Sequence, residues 1–302
     1  MTHIFSVTAP RGAESVLARE LKGMGLQRVV PKQGSVQFMG ALKEGLRACL
    51  WTRIGSRVLL RLSRFEGNTP EALYEGVSKI PWREHLSSRG TIWVDFSGTS
   101  RYIRNIQFGA RKTKDAIVDR IRNETGNRPD VLKGVSTLRV NVHLRDGVFT
   151  VSLDLSGQPL HIRTPNRKII QAPLKETLAA TLLHLADWPK RIKSGEPFVD
   201  PMCGSGTLLF EAAGMVRKVA PGLSRQDWGF SRWLGHSSAD WKVLIDEARQ
   251  LREEHREIPL KMWGMDIDRK AILAANHNAK NLELAGVNLS CQPLLKLRPP
   301  IE

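Results

Sequence analysis

The run Phe198-Val199-Asp200-Pro201-Met202-Cys203-Gly204-Ser205-Gly206-Thr207 decides how this chain is read. Its first residues have the composition of a short buried strand ending on an acid. Gly204 and Gly206 follow in a turn, and Thr207 opens an apolar helical pattern. Glycines at a strand-to-helix turn let backbone amides approach a ligand that a Cβ would hold off. An ordinary strand–helix turn is the plainer reading of the same residues. A second strand, Met262-Trp263-Gly264-Met265-Asp266, also ends on an acid and leads into a helical run from Asp268 to Leu284. With a helix between the two strands, the order is β-α-β-α, which predicts a parallel sheet.

Asp200 can meet a ligand ammonium, directly or through water, or it can partner the amides of the turn. Asp266 stands where a carboxylate accepts both hydroxyls of a ribose, and Asp268 is expected to N-cap the helix beginning at Arg269. A dinucleotide site would carry its ribose acid about 20 residues after the glycines, with a third glycine behind the first two. Here the acid follows a long insertion, and position 209 is Leu209. Both departures argue against NAD.

Composition narrows the partners. The 302 residues carry 46 Lys+Arg against 30 Asp+Glu, a formal net charge of +16. Such a field attracts polyanions, nucleic acid first and a membrane surface second. There is no apolar run long enough to span a bilayer. The segment Met1 to Glu14 lacks the basic and apolar regions of a signal peptide, so the expected location is the cytoplasm. Three scattered cysteines and eight histidines without ligand spacing predict neither a disulfide framework nor a metal site.

Three units follow from the pattern: residues 1–65, 66–156 and 157–302. The first alternates short strands (Ile4–Val7, Val36–Met39, Val58–Leu62) with helices (Ala13–Met24, Leu42–Leu50), an α+β sandwich. In the second, Thr69-Pro70 is a helix-start signal, and Arg145-Asp146-Gly147 is a hairpin turn. Its Phe108–Arg122 helix would bury Ala116, Ile117 and Ile121 and present Arg111, Lys112, Lys114 and Arg120 outward. These cations either meet RNA phosphate or form a solvated face. In the third unit, Pro173 is expected at a helix start, with Leu174, Leu178, Leu182 and Leu183 on its apolar face. The insertion around Trp228, Phe230 and Trp233 interleaves arginine with aromatics. It is expected to pin itself to the domain, with base stacking as the alternative.

These residues carry a resemblance. The Asp-Pro-x-Cys-Gly-x-Gly-Thr form is similar to motif I of S-adenosylmethionine-dependent methyltransferases, and the whole chain resembles the N-terminal part of the RlmL-type THUMP-containing 23S rRNA guanine-N2 methyltransferases. The match runs through Val7-Thr8-Ala9-Pro10-Arg11-Gly12 and Leu50 to Leu59 in a ferredoxin-like segment, then Phe108-Gly109 and Lys114 to Asp119 in a THUMP module. Residues 160–302 resemble the first part of the methyltransferase domain. The resemblance implies α/β and α+β architecture, with an incomplete Rossmann-like class I domain after the ferredoxin-like and THUMP units. It implies S-adenosylmethionine as cofactor, held by Pro173, Asp200, Cys203, Gly204, Gly206, Thr207, Asp266 and Ile267. It also implies 23S rRNA as partner, held by Arg111, Lys112, Lys114 and Arg120, and methyl transfer to guanine N2 by in-line displacement.

Three departures bear on activity. The family's Asn/Asp-Pro-Pro-Tyr motif, which accepts the protons of the guanine amine and stacks the flipped base, is absent, and Arg298-Pro299-Pro300 does not replace it. Gln292-Pro293 stands where the family has an acid for the adenine amine, and Arg163-Thr164-Pro165-Asn166-Arg167 stands where it has Gly-Tyr-Arg. The expectation is therefore a truncated or decayed enzyme with little turnover of its own and an aggregation-prone open sheet. No catalytic residue is assigned. The alternatives are a non-catalytic RNA-binding module and a tRNA guanine-N2 methyltransferase.

Overall fold

The computed structural model describes residues 1–87, 89–131, 136–164, 166–170 and 173–296. Pro165 and Arg298 to Pro300, which enter the sequence reading, lie outside the described residues.

The N-terminal half is built on strands β1 (His3–Thr8), β2 (Gln27–Lys32), β3 (Ser35–Gly40) and β4 (Arg57–Glu66), with helices α1 (Glu14–Gly23) and α2 (Leu42–Trp51) between them. Alternation sets the faces: Phe5 and Val7 of β1 and Val36 and Phe38 of β3 are buried, and Val16, Leu17 and Leu21 of α1 pack with them. Next come α3 (Pro70–Ser78), β5 (Thr91–Ser97), α4 (Ile106–Thr125), β6 (Asp130–Val131), β7 (Leu138–Arg145) and β8 (Val148–Asp154). The Thr69 hydroxyl caps α3 by accepting from the Ala72 amide at 3.2 Å, with Pro70 in the first turn. The β7–β8 turn places Asp146 and Gly147 both at positive φ, as a tight hairpin requires.

These two stretches form one sheet. The strand order is β2-β3-β1-β4-β8-β7-β5-β6, and β4 pairs antiparallel with β8 from Leu59↔Asp154 to Glu66↔Val148, with a bulge between Arg61 and Ser63. A single apolar core runs beneath the sheet, with buried residues from β1, β3, β4, β5, β7 and β8. The sandwich expected of the first unit is therefore a sheet with helices on one face, continued sideways by the second unit. The β4–β8 pairing joins residues some ninety positions apart, which local periodicity does not report. The edge strand β2 was not expected: nearly all its residues are exposed, so it has no apolar alternation, and Pro31 removes one ladder donor.

The third unit has α5 (Glu176–Leu185), α6 (Trp188–Arg191), β9 (Phe198–Asp200), α7 (Thr207–Val216), α8 (Ser238–Glu254), β10 (Met262–Asp266), α9 (Arg269–Asn281) and β11 (Val287–Cys291). β11, β10 and β9 form a parallel sheet in that order. Leu209, Ala212, Ala213, Met262 and Ala275 pack beneath it in a separate core. Two expectations fail here. Pro173 lies three residues before the first residue of α5, whose N-cap is Lys175. The buried face of that helix is Thr177, Ala179, Ala180, Thr181 and Leu183, whereas Leu178 and Leu182 are exposed. Small and hydroxyl residues let α5 pack closely; Leu183 is buried as expected, whereas Leu178 and Leu182 fall on the other side. No helix among the described residues is long and apolar enough to cross a membrane.

Candidate functional site

The loop after β9 is tied down on every side. The Cys203 amide donates to the Met265 carbonyl at 2.8 Å, which fixes the loop to β10. Gly204 and Gly206 hold φ of 54° and 85°. A Cβ at Gly204 would meet only the Ile170 Cδ1 at 3.4 Å, so the space above that backbone is open; one at Gly206 would lie 2.3 Å from the Phe210 ring. Asp266, at the end of β10, receives the Gly204 amide on Oδ2 at 2.9 Å and the Asp268 amide on Oδ1 at 2.9 Å. Asp268 in turn caps α9 by accepting from the Lys270 amide at 2.8 Å. Asp200 accepts the Met202 amide on Oδ1 at 3.2 Å. Burial raises the Asp200 carboxyl above its ordinary range, and the nearby Asp266 charge adds to the rise.

Cys203 is buried inside this arrangement. Burial, then the charges of Asp200 and Asp266, push its thiol up to about 12. It is a neutral packing and hydrogen-bonding group at neutral pH, without the thiolate a nucleophile needs. Ile267 and Met202 stand exposed beside the two acids, at 75% and 72%.

A supporting network lies behind the loop, and the sequence reading missed it. Arg167 donates to the Thr207 hydroxyl and pairs with Glu176 at 2.6 Å. Burial raises the Glu176 carboxyl and the Arg167 charge opposes the rise. The buried Asn278 amide accepts from the Lys168 amide at 2.8 Å and donates to the carbonyls of Lys168 and Ser205. Asn278 thus clamps the 166–170 segment and the glycine loop to α9. The available signal was its place in the stripe Ala271, Ala274, Ala275, Asn278, where the helical period calls for an apolar residue.

Arginines weld this unit to the N-terminal half. Arg53 donates to Glu211 of α7 at 3.1 Å and to the Gly214 carbonyl at 3.0 Å, and Arg163 reaches the other Glu211 oxygen at 3.1 Å. Trp228, Phe230 and Trp233 are buried in the core of the eight-stranded sheet, beneath the other unit. Arg225 covers Trp228 and donates to the carbonyls of Ser156, Gln158, Pro159 and Ile162. The aromatic insertion is an inter-unit anchor.

On α4, Ala116, Ile117 and Ile121 are buried. Arg111 and Arg120 are exposed, and Lys112 and Lys114 are half-buried. Lys114 pairs with Asp115 at 2.7 Å, Arg120 with Glu124 at 2.7 Å, and Lys112 lies 4.9 Å over the Tyr74 ring. Three of the four cations are thus already held by neighbours on their own surface. Among the described residues no three His, Cys, Asp or Glu side chains gather as a metal cluster.

Comparison with known proteins matches each part of this architecture. Residues 5–59 match the RlmL ferredoxin-like domain, 67–154 the THUMP domain and 164–298 the RMKL-like methyltransferase domain. This is the RlmL-type set of domains. The ribosomal RNA large subunit methyltransferase K/L of Magnetococcus marinus is 46% identical over 95% of the chain, and that of Aeromonas hydrophila is 45% identical over 91%. The chain spans only 40% and 38% of the length of these two relatives. The crystal structure of SMU.472 complexed with SAH superposes with a TM-score of 0.86 at 28% identity, covering 99% of this chain and 78% of that one. A Listeria monocytogenes structure described as a predicted N6-adenine-specific DNA methylase superposes with the same TM-score and identity over 100% of this chain and 78% of its own.

Proposed function

We propose that this chain holds S-adenosylmethionine on the glycine turn after β9 for methyl transfer to guanine N2 of 23S rRNA. The observation that carries the reading is the convergence of two acids on one open glycine turn, with Asp266 bonded to the Gly204 amide and Asp200 half-buried beside it. The residues fit the cofactor. A half-buried carboxyl with a raised pKa has its charged form stabilised by a nearby cation, and the methionine ammonium is one. Each Asp266 oxygen has accepted one amide and retains a lone pair for a ribose hydroxyl. The space above Gly204, which any Cβ would narrow, admits the ligand.

S-adenosylmethionine supplies an electrophilic methyl group on sulfonium. This chain's own residues orient it: Asp200 and Asp266 at the two ends, the Gly204 backbone between them, and Thr207 held in place by Arg167. Pro173 and Ile267 are assigned to its surroundings. The neutral Cys203 thiol favours direct transfer over a covalent enzyme intermediate. Arg111, Lys112, Lys114 and Arg120 are assigned to RNA phosphate, consistent with the net charge of +16.

Calorimetric titration of the 302-residue chain with S-adenosylhomocysteine tests the reading. Binding that is lost in Asp266→Ala is expected. RNA binding without any cofactor binding would replace this reading with that of an RNA-binding module.

A further inference from the structure

The face of the eight-stranded sheet opposite its helices is not a flat solvated surface. Arg145, at the end of β7, donates from Nη2 to the Gln33 side chain in the β2–β3 turn at 2.8 Å. In the strand order, β3 and β7 are separated by β1, β4 and β8. Neighbouring strands lie about 4.8 Å apart, so a flat sheet would hold these two hairpin tips far beyond side-chain reach. The sheet must coil to bring them together. The result is a trough of about 550 Å³ beneath the bridge.

Its lining is strongly one-signed. Lys32, Arg57, Arg61, Arg64 and Arg145 contribute cations, and Asp146 is the only acid lining it, already engaged by Arg145 at 3.2 Å. Arg57 is neutralised by the buried Asp154. Arg61 and Arg64 are different. They project from the same face of β4 on either side of the bulge, opposite Ser152 and Thr150, and no ion pair involves either among the described residues. Burial and the Arg64 charge both push the Arg61 guanidinium down. Two unneutralised cations side by side on a strand destabilise the free protein, which an anionic ligand would relieve.

The remaining lining identifies the anion. Rows of small polar side chains cross the floor: Ser152 and Asn141 beside Arg61, then Thr150 and His143 beside Arg64. Among the described residues His143 is the one aromatic ring lining the trough besides the core residue Phe5, and it is held by the Ser97 hydroxyl at 2.9 Å, so successive bases have no row of rings on which to stack. Hydroxyls and amides interleaved with arginines instead suit a sugar–phosphate backbone with its 2′-hydroxyls. A volume of about 550 Å³ suits a few nucleotides of a single strand and is too small for a duplex.

We propose that this trough is a docking site for single-stranded RNA, gripped by its backbone through Arg61 and Arg64 on the opposite face of the sheet from the α4 cations. The proposal rests on the RNA-directed function above and adds to it a second, sequence-independent contact.

Fluorescence anisotropy with a labelled short oligouridylate, and with the matching oligothymidylate, tests it on the 302-residue chain. In Arg61→Gln/Arg64→Gln the affinity for oligouridylate should fall about tenfold or more at low salt, and the slope of log affinity against log salt should shrink by about 1.4. The wild type should prefer the RNA oligomer to the DNA one. The single variant Arg64→Gln, which leaves the packed Arg61 stem in place, should show about half the loss of slope; a thermal melt confirms that each variant is folded. A folded double variant with wild-type affinity and slope would overturn the trough while leaving the RNA reading intact. Equal binding of RNA and DNA would also overturn it. No binding of either RNA or DNA by the wild type would remove both proposals together.

Discussion

The two glycines of the loop after β9, proposed above to hold the cofactor, allow stability and ligand access to be separated by substitution. Alanine at Gly204 must adopt a left-handed φ near 54° but meets nothing closer than Ile170 Cδ1 at 3.4 Å. The backbone penalty is about 1–2 kcal/mol, partly offset by about 0.4–1 kcal/mol from a stiffer unfolded chain, leaving a net cost of about 1 kcal/mol. That corresponds to a fall in Tm of about 3 °C for a chain of this size. Gly206→Ala carries the same backbone penalty and also drives a Cβ to 2.3 Å from the buried Phe210 ring. Overpacking adds about 1–3 kcal/mol, so the total is about 3 kcal/mol and the fall about 8 °C. The assay is a thermal melt with and without S-adenosylhomocysteine. Wild type at a ligand concentration of about 100 Kd gains about 2.7 kcal/mol. Gly204→Ala, although folded, should gain little, because its methyl group occupies the ligand's approach. A Gly204→Ala protein with the full ligand-induced shift would refute the claim that the ligand passes over that backbone. Equal destabilisation by the two substitutions would refute the steric argument.

Other outcomes follow from the same geometry. Arg167→Ala should cost about 3 kcal/mol by leaving Glu176 buried without its cation, and Arg167→Met/Glu176→Leu should recover most of it, as read by urea melts. Trp228→Ala should cost about 4 kcal/mol and loosen the third unit from the sheet, detectable as earlier proteolysis within residues 221–236. Asp200 has a raised folded pKa, so on its own it favours the fold below its unfolded value, and that contribution is lost as pH rises through the folded one. A ligand ammonium reverses the preference. Cofactor affinity should therefore increase as pH rises through the raised Asp200 value, and Asp200→Asn should abolish that dependence in calorimetry.

Much of the glycine loop's geometry was legible because its signals are local. An acid at a strand end, glycines at a turn and Asp268 before a helix each announce themselves within a few residues, and the structure gives Asp268 its capping bond. The α5 helix misled because leucine spacing was read as burial. Close packing selected Thr177, Ala180 and Thr181 instead and left Leu178 and Leu182 outside. Arg167 and Asn278 escaped notice because their value lies in partners 40 and 110 positions away. The trough was invisible for the same reason: Arg61 and His143 are ordinary polar residues until β4, β8 and β7 are laid side by side.

The Arg53–Glu211 pair and the Trp228 anchor have a consequence for how a substrate would be chosen. They join the helix that follows the glycine loop to the sheet that carries the cationic surfaces. On the proposed reading, these contacts set the span from those surfaces to the glycine loop. An RNA would be selected by the distance between what is gripped and what is modified, and any adjustment needed to close that distance must come from the nucleic acid.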